Sequence, residues 1–329
     1  MRAMKMSRFG GPEVFELVEM PTPAPGPGQV LIRVVASGIN FADTLMRENR
    51  YAVTPELPAV LGTEVAGTVE RVGPGLESFA PGARVAAFVS AAGGRAGGYA
   101  DHAVADAEQV VPLPDALGCP EATALMTQGL TALILTKQIP PNGKTVLINA
   151  AAGGVGAFLV QLAKRAGARR VIAAASTSLK RELSISLGAD AAVDYTHPDW
   201  VADLRRANGG AGPDVIYESV GGAVTRGCLE ALAPLGEIVI YGALNIQEFA
   251  LGVPDLLGLI FKNQSLTGFA FLPLLEPAAL RAALRELFDL VVRGELRVLV
   301  SETYPLERVG EAHAALERRA TTGKLVLVP

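Results

Sequence analysis

Thr145-Val146-Leu147-Ile148-Asn149-Ala150-Ala151-Ala152-Gly153-Gly154-Val155-Gly156 is an apolar strand that passes through a turn of small residues into a helix. Ala151-x-Gly153-x-x-Gly156 is a variant of the G-x-G-x-x-G fingerprint. Its small residues let the backbone turn tightly and approach a pyrophosphate, and the positive N-terminal end of the helix holds that group. The residues assigned to this contact are Ala152, Gly153, Gly154, Val155 and Gly156. Residues 157–166 are free of proline and favour a helix, Gly167 can end it, and Val171-Ile172-Ala173-Ala174 follows as a buried strand. A glycine-rich turn alone also occurs in α/β proteins that bind nothing, so the assignment rests on the complete βαβ unit. That unit predicts a dinucleotide, and hence nicotinamide or flavin chemistry.

The end of the second strand bears on which dinucleotide is held. An NAD site places an acid about 20 residues after the fingerprint, on the ribose 2′-hydroxyl. Here that position is Ala175, followed by Ser176, Thr177 and Ser178, with Lys180 and Arg181 beyond. A carboxylate would repel a 2′-phosphate, whereas hydroxyls and cations bind it through charge-assisted hydrogen bonds. NADP(H) is therefore the expected cofactor, on Ser176, Thr177 and Lys180. Alternatively Ser176 is an N-cap, with Lys180 and Arg181 on a solvated face.

The 329 residues are 50% hydrophobic with 36 glycines, enough for about two folded domains rich in tight turns. A net charge of −4, without any lysine or arginine block, argues against a nucleic-acid partner. Residues 1–7 lack an apolar signal core, and no stretch of about 18 apolar residues occurs, so a cytoplasmic protein with no membrane partner is expected. Cys119 and Cys228 are far apart, which excludes a disulfide framework and a four-cysteine zinc site.

Before the fingerprint the chain is strand-like at residues 30–34, 64–72 and 84–88, punctuated by prolines and glycines, which suggests a compact β-barrel. From about Glu121 strands and helices alternate: residues 215–217, a helix over 224–232, and a strand over 238–241. This is doubly wound α/β architecture. A long amphipathic helix follows over residues 278–293, whose leucines read as core. The tail gives a strand at 298–300, a helix over 309–319 and a final strand at 324–328.

With Ser37-Gly38-Ile39-Asn40-Phe41-Ala42-Asp43, Leu57-Pro58-Ala59-Val60-Leu61-Gly62-Thr63-Glu64-Val65-Ala66-Gly67 and residues 150–156, the chain resembles the medium-chain dehydrogenase/reductase superfamily over its whole length. Within it the chain is most similar to the zinc-free quinone oxidoreductases, the zeta-crystallin group. The resemblance implies a discontinuous GroES-like β-barrel catalytic domain at residues 1–121 and 269–329, a Rossmann NADP-binding domain at 122–268, and a homodimer. The places where zinc-dependent relatives carry Cys, His and Cys correspond to Asn40 or a neighbour, Thr63 and Thr127. None of these supplies a thiolate or imidazole, so no metal is expected. His102, His197 and His313 read as surface or structural residues.

Without a Lewis acid, alcohol oxidation is disfavoured. Hydride addition to a quinone or an α,β-unsaturated carbonyl is easier, because neutral donors can stabilise the developing oxyanion. The resemblance places Asn40, Tyr51 and Thr63 at the substrate, with Tyr51 as the proton donor or carbonyl-orienting group, and Thr127 near the nicotinamide. It places Tyr195 beside the adenosine phosphate, and Gly242, Ala243, Gly268 and Phe269 where backbone meets the nicotinamide amide, although those glycines serve equally as turns. Asp43 and Glu64 read as structural acceptors rather than acid/base groups. Two other functions compete with a quinone or enone reductase. One is a 2-enoyl thioester reductase, for which Arg47 and Arg50 are candidate cations unless they stand in a solvated loop, the reading preferred for them, and the other a non-catalytic NADPH-binding protein.

Overall fold

In the computed structural model, which describes residues 1–89, 97–242, 244, 248–274 and 276–329, the chain divides into two units, Met1–Leu130 with Leu275–Pro329, and Thr131–Leu274. The first unit starts with an antiparallel hairpin, β1 (Arg2–Met6) and β2 (Phe15–Glu19). Ala3, Met4 and Met6 of β1 are buried while Arg2 is exposed. The long strand β3 (Gln29–Ile39) runs into helix α1 (Phe41–Arg47). Then β4 (Ala59–Val60) pairs back on β1, and β5 (Glu64–Val72), β6 (Arg84–Phe88), β7 (His102–Asp106) and β8 (Val110–Pro112) follow.

Strand β3 is the spine of this unit. One edge pairs with β5, and the first half of the other edge pairs with β7. Val30, Ile32, Val65, Val69 and Val85 form a core beneath these strands. β-Branched residues suit such a surface because their stiff side chains pack well on a pleated face. Helix α2 (Cys119–Ala124) passes into a π-helical turn, Leu125–Gly129, and α3 (Leu130–Gln138) leads into the second unit.

The second unit is built on β9 (Thr145–Asn149), α4 (Gly154–Arg165), β10 (Arg170–Ala174), α5 (Ser178–Ser186), β11 (Ala191–Val193), α6 (Trp200–Ala207), β12 (Val215–Glu218), α7 (Gly222–Ala231), β13 (Glu237–Ile240), α8 (Val253–Lys262) and β14 (Ser265–Gly268). Its strands are parallel neighbours in the order β11-β10-β9-β12-β13-β14. Strand order reverses between β9 and β12, and a dinucleotide binds beyond the carboxyl ends of strands at such a switch point. All five residues of β9 are buried, as expected for a strand covered on both faces.

Helix α9 (Pro277–Val292) buries Leu280, Leu284, Leu287 and Phe288, so the leucine stripe is core. The chain then gives β15 (Val300–Pro305), α10 (Val309–Glu317) and β16 (Lys324–Val328). Strand β16 pairs in parallel with β15 and antiparallel with the second half of β3, Leu325 opposite Ile39 and Leu327 opposite Ser37. The tail is thus part of the first unit's sheet. The strand expected at 298–300 begins only at Val300 and continues to Pro305. Helix α8 falls in a stretch to which the sequence assigned no element; it buries none of its residues and leaves its apolar side chains exposed. Among the described residues no helix is long and apolar enough to cross a membrane.

Candidate functional site

In the first unit the chemistry-bearing side chains gather around the start of α1. Asn40 is its N-cap, and a capping box closes the turn as the Asn40 backbone N–H donates to Asp43 Oδ2 at 2.8 Å. The Asn40 side chain is itself engaged: Nδ2 donates to Glu64 Oε1 at 3.0 Å, and Oδ1 accepts from Lys324 Nζ at 2.8 Å. Lys324 also donates to Glu64 Oε1, forming an ion pair in which both side chains are fully buried. The other carboxylate oxygen, Glu64 Oε2, accepts from the Thr127 backbone N–H at 2.9 Å and from Thr127 Oγ1 at 2.5 Å. The π-helical turn brings that backbone amide and its own hydroxyl onto one oxygen, and such turns recur at functional positions. Glu64 therefore ties Asn40, Thr127 and Lys324 together.

A second chain of bonds leads away from Asp43. Arg47 Nη1 lies 3.3 Å from His313 Nδ1, and a guanidinium can only donate. His313 must accept at Nδ1 and carry its ring proton on Nε2, which faces the Tyr99 hydroxyl oxygen at 3.1 Å. Tyr99 in turn donates to Asp43 Oδ2 at 3.0 Å. Burial, followed by the Arg47 charge, drives His313 down to about 3, so the ring stays neutral. Burial also pushes the Asp43 carboxyl up to about 6, against the Asn40 amide that lowers it, and Asp43 Oδ1 is buried without a hydrogen-bond partner. His313 is structural, in line with the sequence reading.

Tyr51 lies in the loop after α1 and is 38% exposed. Partial burial raises its phenol, and the Asp43 charge raises it further, so the phenol is protonated at neutral pH. No hydrogen bond joins Tyr51 to Asn40, Thr63 or Thr127 among the described residues. Thr63 stands half-buried just before β5, its carbonyl accepting from Val89. Arg47 is a correction: its side chain is fully buried and paired with Glu48 and Glu317, so it offers no charge to a thioester. Arg50 is likewise paired with Glu48 at 2.9 Å. Lys324 escaped sequence reading because it opens the strand Lys324–Val328, where a first-position lysine reads as a solvated end.

In the second unit the fingerprint is built as its residue sizes require. Ala150 takes a positive φ of 48°, and a Cβ on Gly156 would fall 2.3 Å from the Ala150 carbonyl oxygen. Helix α4 has Gly153 as its N-cap, with no side-chain cap and no acid in its first turn, so its unpaired N–H groups are left for an anion. Strand β10 ends before Ala175, and Ser176 follows. The cap of α5 is Thr177, not Ser176: its side chain accepts from the Lys180 backbone N–H at 3.3 Å. Arg181 is committed to Asp194 at 2.7 Å and to the Ala175 carbonyl at 3.2 Å, and Lys180 stands in the first turn of α5. Tyr195 is half-buried beside the core under β11.

Gly242 does require its missing side chain, since a Cβ would lie 2.6 Å from Ser219 Cβ. Gly268 does not, as nothing lies within 4 Å of such a Cβ. The Phe269 backbone N–H is used by the Ile240 carbonyl, so only its carbonyl remains for a ligand. Ala243 lies outside the described residues. A residue the sequence did not single out is Glu218, at the end of β12. Its Oε1 accepts from the backbone N–H groups of Val220 and Gly221 and from Thr225, and its Oε2 from Asn149. It thus fixes the loop after β12 at the switch point.

The family to which such folds belong includes zinc enzymes, and the donor set here does not suit that ion. Asn40 Oδ1 already faces an ammonium and the Thr127 hydroxyl gives its proton to Glu64. A dication would meet the Lys324 charge with no thiolate or imidazole to bind it. No group of three or more His, Cys, Asp or Glu residues arranged to hold a metal occurs among the described residues.

Residues 26–115 match the alcohol dehydrogenase GroES-like domain and residues 187–327 match the zinc-binding dehydrogenase family. The chain is 36% identical over 333 residues to the quinone oxidoreductase of Pseudomonas aeruginosa, covering 100% of this chain and 99% of that protein. It is 35% identical over 343 residues to a 2-haloacrylate reductase of a Burkholderia species, covering 99% and 98%. The crystal structure of Escherichia coli quinone oxidoreductase complexed with NADPH superposes with a TM-score of 0.92 at 31% identity, over 100% of both chains.

Proposed function

The chain belongs to the medium-chain dehydrogenase/reductase superfamily, in its zinc-free quinone oxidoreductase group, and from that membership we propose an NADPH-dependent reductase of quinones or α,β-unsaturated carbonyl compounds. The observation that carries this reading is the neutral set Asn40, Thr63 and Thr127, with Asn40 and Thr127 held by a buried ammonium–carboxylate pair, where metal-dependent relatives need thiolate and imidazole.

When bound, NADPH supplies a hydride from its nicotinamide ring. Ala152, Gly153, Gly154, Val155 and Gly156 are suited to the pyrophosphate by the uncapped helix start and the space that Gly156 leaves. Ser176, Thr177, Lys180 and Tyr195 are the proposed 2′-phosphate contacts, and the backbone of Gly242, Ala243, Gly268 and Phe269 those of the carboxamide. Thr127, whose hydroxyl proton goes to Glu64, turns acceptor lone pairs to the coenzyme. Asn40 and Thr63 donate to the acceptor's oxygen as negative charge builds on it. Tyr51, protonated and partly exposed, delivers the proton that completes the reduction.

In the same reading, residues 122–268 are the functional nucleotide domain, residues 1–121 and 269–329 the catalytic one, and the protein acts in the cytoplasm as a homodimer. Support for the homodimer is the uncovered apolar face of α8. The test is NADPH oxidation with 1,4-quinones, short enones and 2-enoyl thioesters. Turnover is expected on the first two, and Tyr51→Phe should lower kcat with an enone about 100-fold. A preference for thioesters would move the assignment to an enoyl thioester reductase, and tight NADPH binding without any turnover would make the chain a binding protein.

A further inference from the structure

Lys324 and Glu64 form a fully buried ion pair far from one another in sequence, and a buried pair is weak evidence for stability, because removing two charges from water offsets much of their attraction. Its effect on Asn40 is specific. An ammonium has only donors and a carboxylate only acceptors. With Lys324 Nζ 2.8 Å from Asn40 Oδ1 and Glu64 Oε1 3.0 Å from Asn40 Nδ2, the amide has one permitted orientation. Turned over, it would set its NH₂ against the ammonium and its carbonyl against the carboxylate. One amide proton goes to Glu64, and the second is left to donate.

The neighbouring backbone makes room for the pair. A Cβ on Gly38 would fall 2.2 Å from Glu64 Oε1 and 2.7 Å from Lys324 Cε. Glycine weakens a strand interior, and here it marks a close approach of side chains rather than a bend. Glu64 Oε2 carries the same control to Thr127, whose hydroxyl proton it takes. The ion pair thus sets the hydrogen-bond polarity of two of the three positions where metal-dependent relatives bind their ion, Lys324 with Glu64 at Asn40 and Glu64 at Thr127.

Resting on the reductase reading above, we propose that Lys324 is a positioning residue: it holds the Asn40 amide so that one N–H is offered to the oxygen of the acceptor. It touches neither acceptor nor coenzyme in this role and acts through Asn40.

The experiment is steady-state NADPH oxidation with a 1,4-quinone. It compares the wild type, Lys324→Gln, the paired Lys324→Met/Glu64→Gln variant that removes both charges together, and the same pair in an Asn40→Ala background. Lys324→Gln keeps N–H donors toward Asn40 Oδ1 and should hold kcat within about 10-fold of wild type. The paired variant frees the amide and should lose about 100-fold in kcat, with KM for NADPH changed less than about 3-fold, since misplacing a polarising group costs that much. In the Asn40→Ala background the pair should cost less than about 3-fold further, the share that falls on Thr127 through Glu64, because the group Lys324 positions is gone. Undiminished kcat in the folded paired variant, or an equal further loss without Asn40, overturns the proposal. A paired variant that does not fold leaves the decision to Lys324→Gln, where a kcat loss beyond about 100-fold at unchanged thermal stability overturns it equally. A wild-type protein that turns over with no acceptor overturns the underlying reading, and this inference with it.

Discussion

Asp43 and His313 lie two hydrogen bonds apart, through Tyr99, and burial moves them in opposite directions, to about 6 and about 3. The folded Asp43 carboxyl sits above its ordinary 3.8, so it contributes stability that is full below pH 3.8 and is lost as pH rises through about 6. His313 has the other sign. Its neutral ring contributes stability above pH 6.5 that is lost as pH falls toward about 3. Facing Asp43 are Tyr99, Glu64, Lys324 and the half-exposed Tyr51. Asp43→Asn removes only the first contribution, so the wild type should gain on the variant by about 2 kcal/mol between pH 8 and pH 4.5 in urea unfolding. A difference that does not change with pH would show that the carboxyl titrates normally. Lys180 gives a separate test on the coenzyme. With Arg181 held by Asp194, Lys180→Ala should raise Kd for NADPH about 10-fold and leave NADH within about 2-fold in a fluorescence titration. Equal weakening of both would place the 2′-phosphate elsewhere. Lys180 could be read from the sequence because it stands in the first helical turn just after the strand, close in sequence to the hydroxyls it joins. Lys324 could not, since its partners are 284 and 260 residues away and nothing local separates a buried lysine from a solvated one.

The strand-turn-helix of β9 and α4 was legible because its determinants are local: a buried apolar run, small residues at the turn and a helix-favouring stretch. Its two glycines are nevertheless not equivalent. A Cβ on Gly153 meets only the Ala150 carbonyl oxygen at 3.1 Å, which a small shift relieves, whereas on Gly156 it meets that oxygen at 2.3 Å and Ala151 Cα at 2.8 Å. Gly156→Ala must push α4 away from β9, at a cost of about 1–3 kcal/mol, and should weaken NADPH at least 10-fold. Gly153→Ala should do neither by more than about a third as much. Thermal unfolding and coenzyme titration on the pair check this, and equal effects would mean that the turn is not the point of close approach. The sheet β2-β1-β4 was illegible for the converse reason. Its registration sets Lys5 opposite Val60, and the two residues of β4 carry no periodic pattern of their own. The π-helical turn at Thr127 was equally hidden, as its bonds to Glu64 come from a strand in another part of the chain.

Strand β14 is the last in the order of the six-stranded sheet, and α8, packed just before it in sequence, exposes Val253, Ile260 and Phe261 at 68%, 66% and 81%. Leu256 and Leu257 on the same helix are also about half exposed. Single exposed apolar residues are ordinary on a soluble protein, but five on one helix are not, and the end strand of a sheet also invites pairing. The occupant we propose is a second copy of this chain, which would cover the helix face. The wild-type protein should then sediment as a species of twice 34.2 kDa at micromolar concentration. Replacing Ile260 and Phe261 together with Asp should give a monomer, as two charges placed in an apolar interface cost several kcal/mol. These two side chains are exposed and make no contribution to the buried core, so the variant's thermal unfolding should be unchanged when measured at a concentration where the wild type is itself dissociated. A wild type that remains monomeric at every concentration removes the homodimer from the proposed function and leaves the apolar face of α8 to another partner.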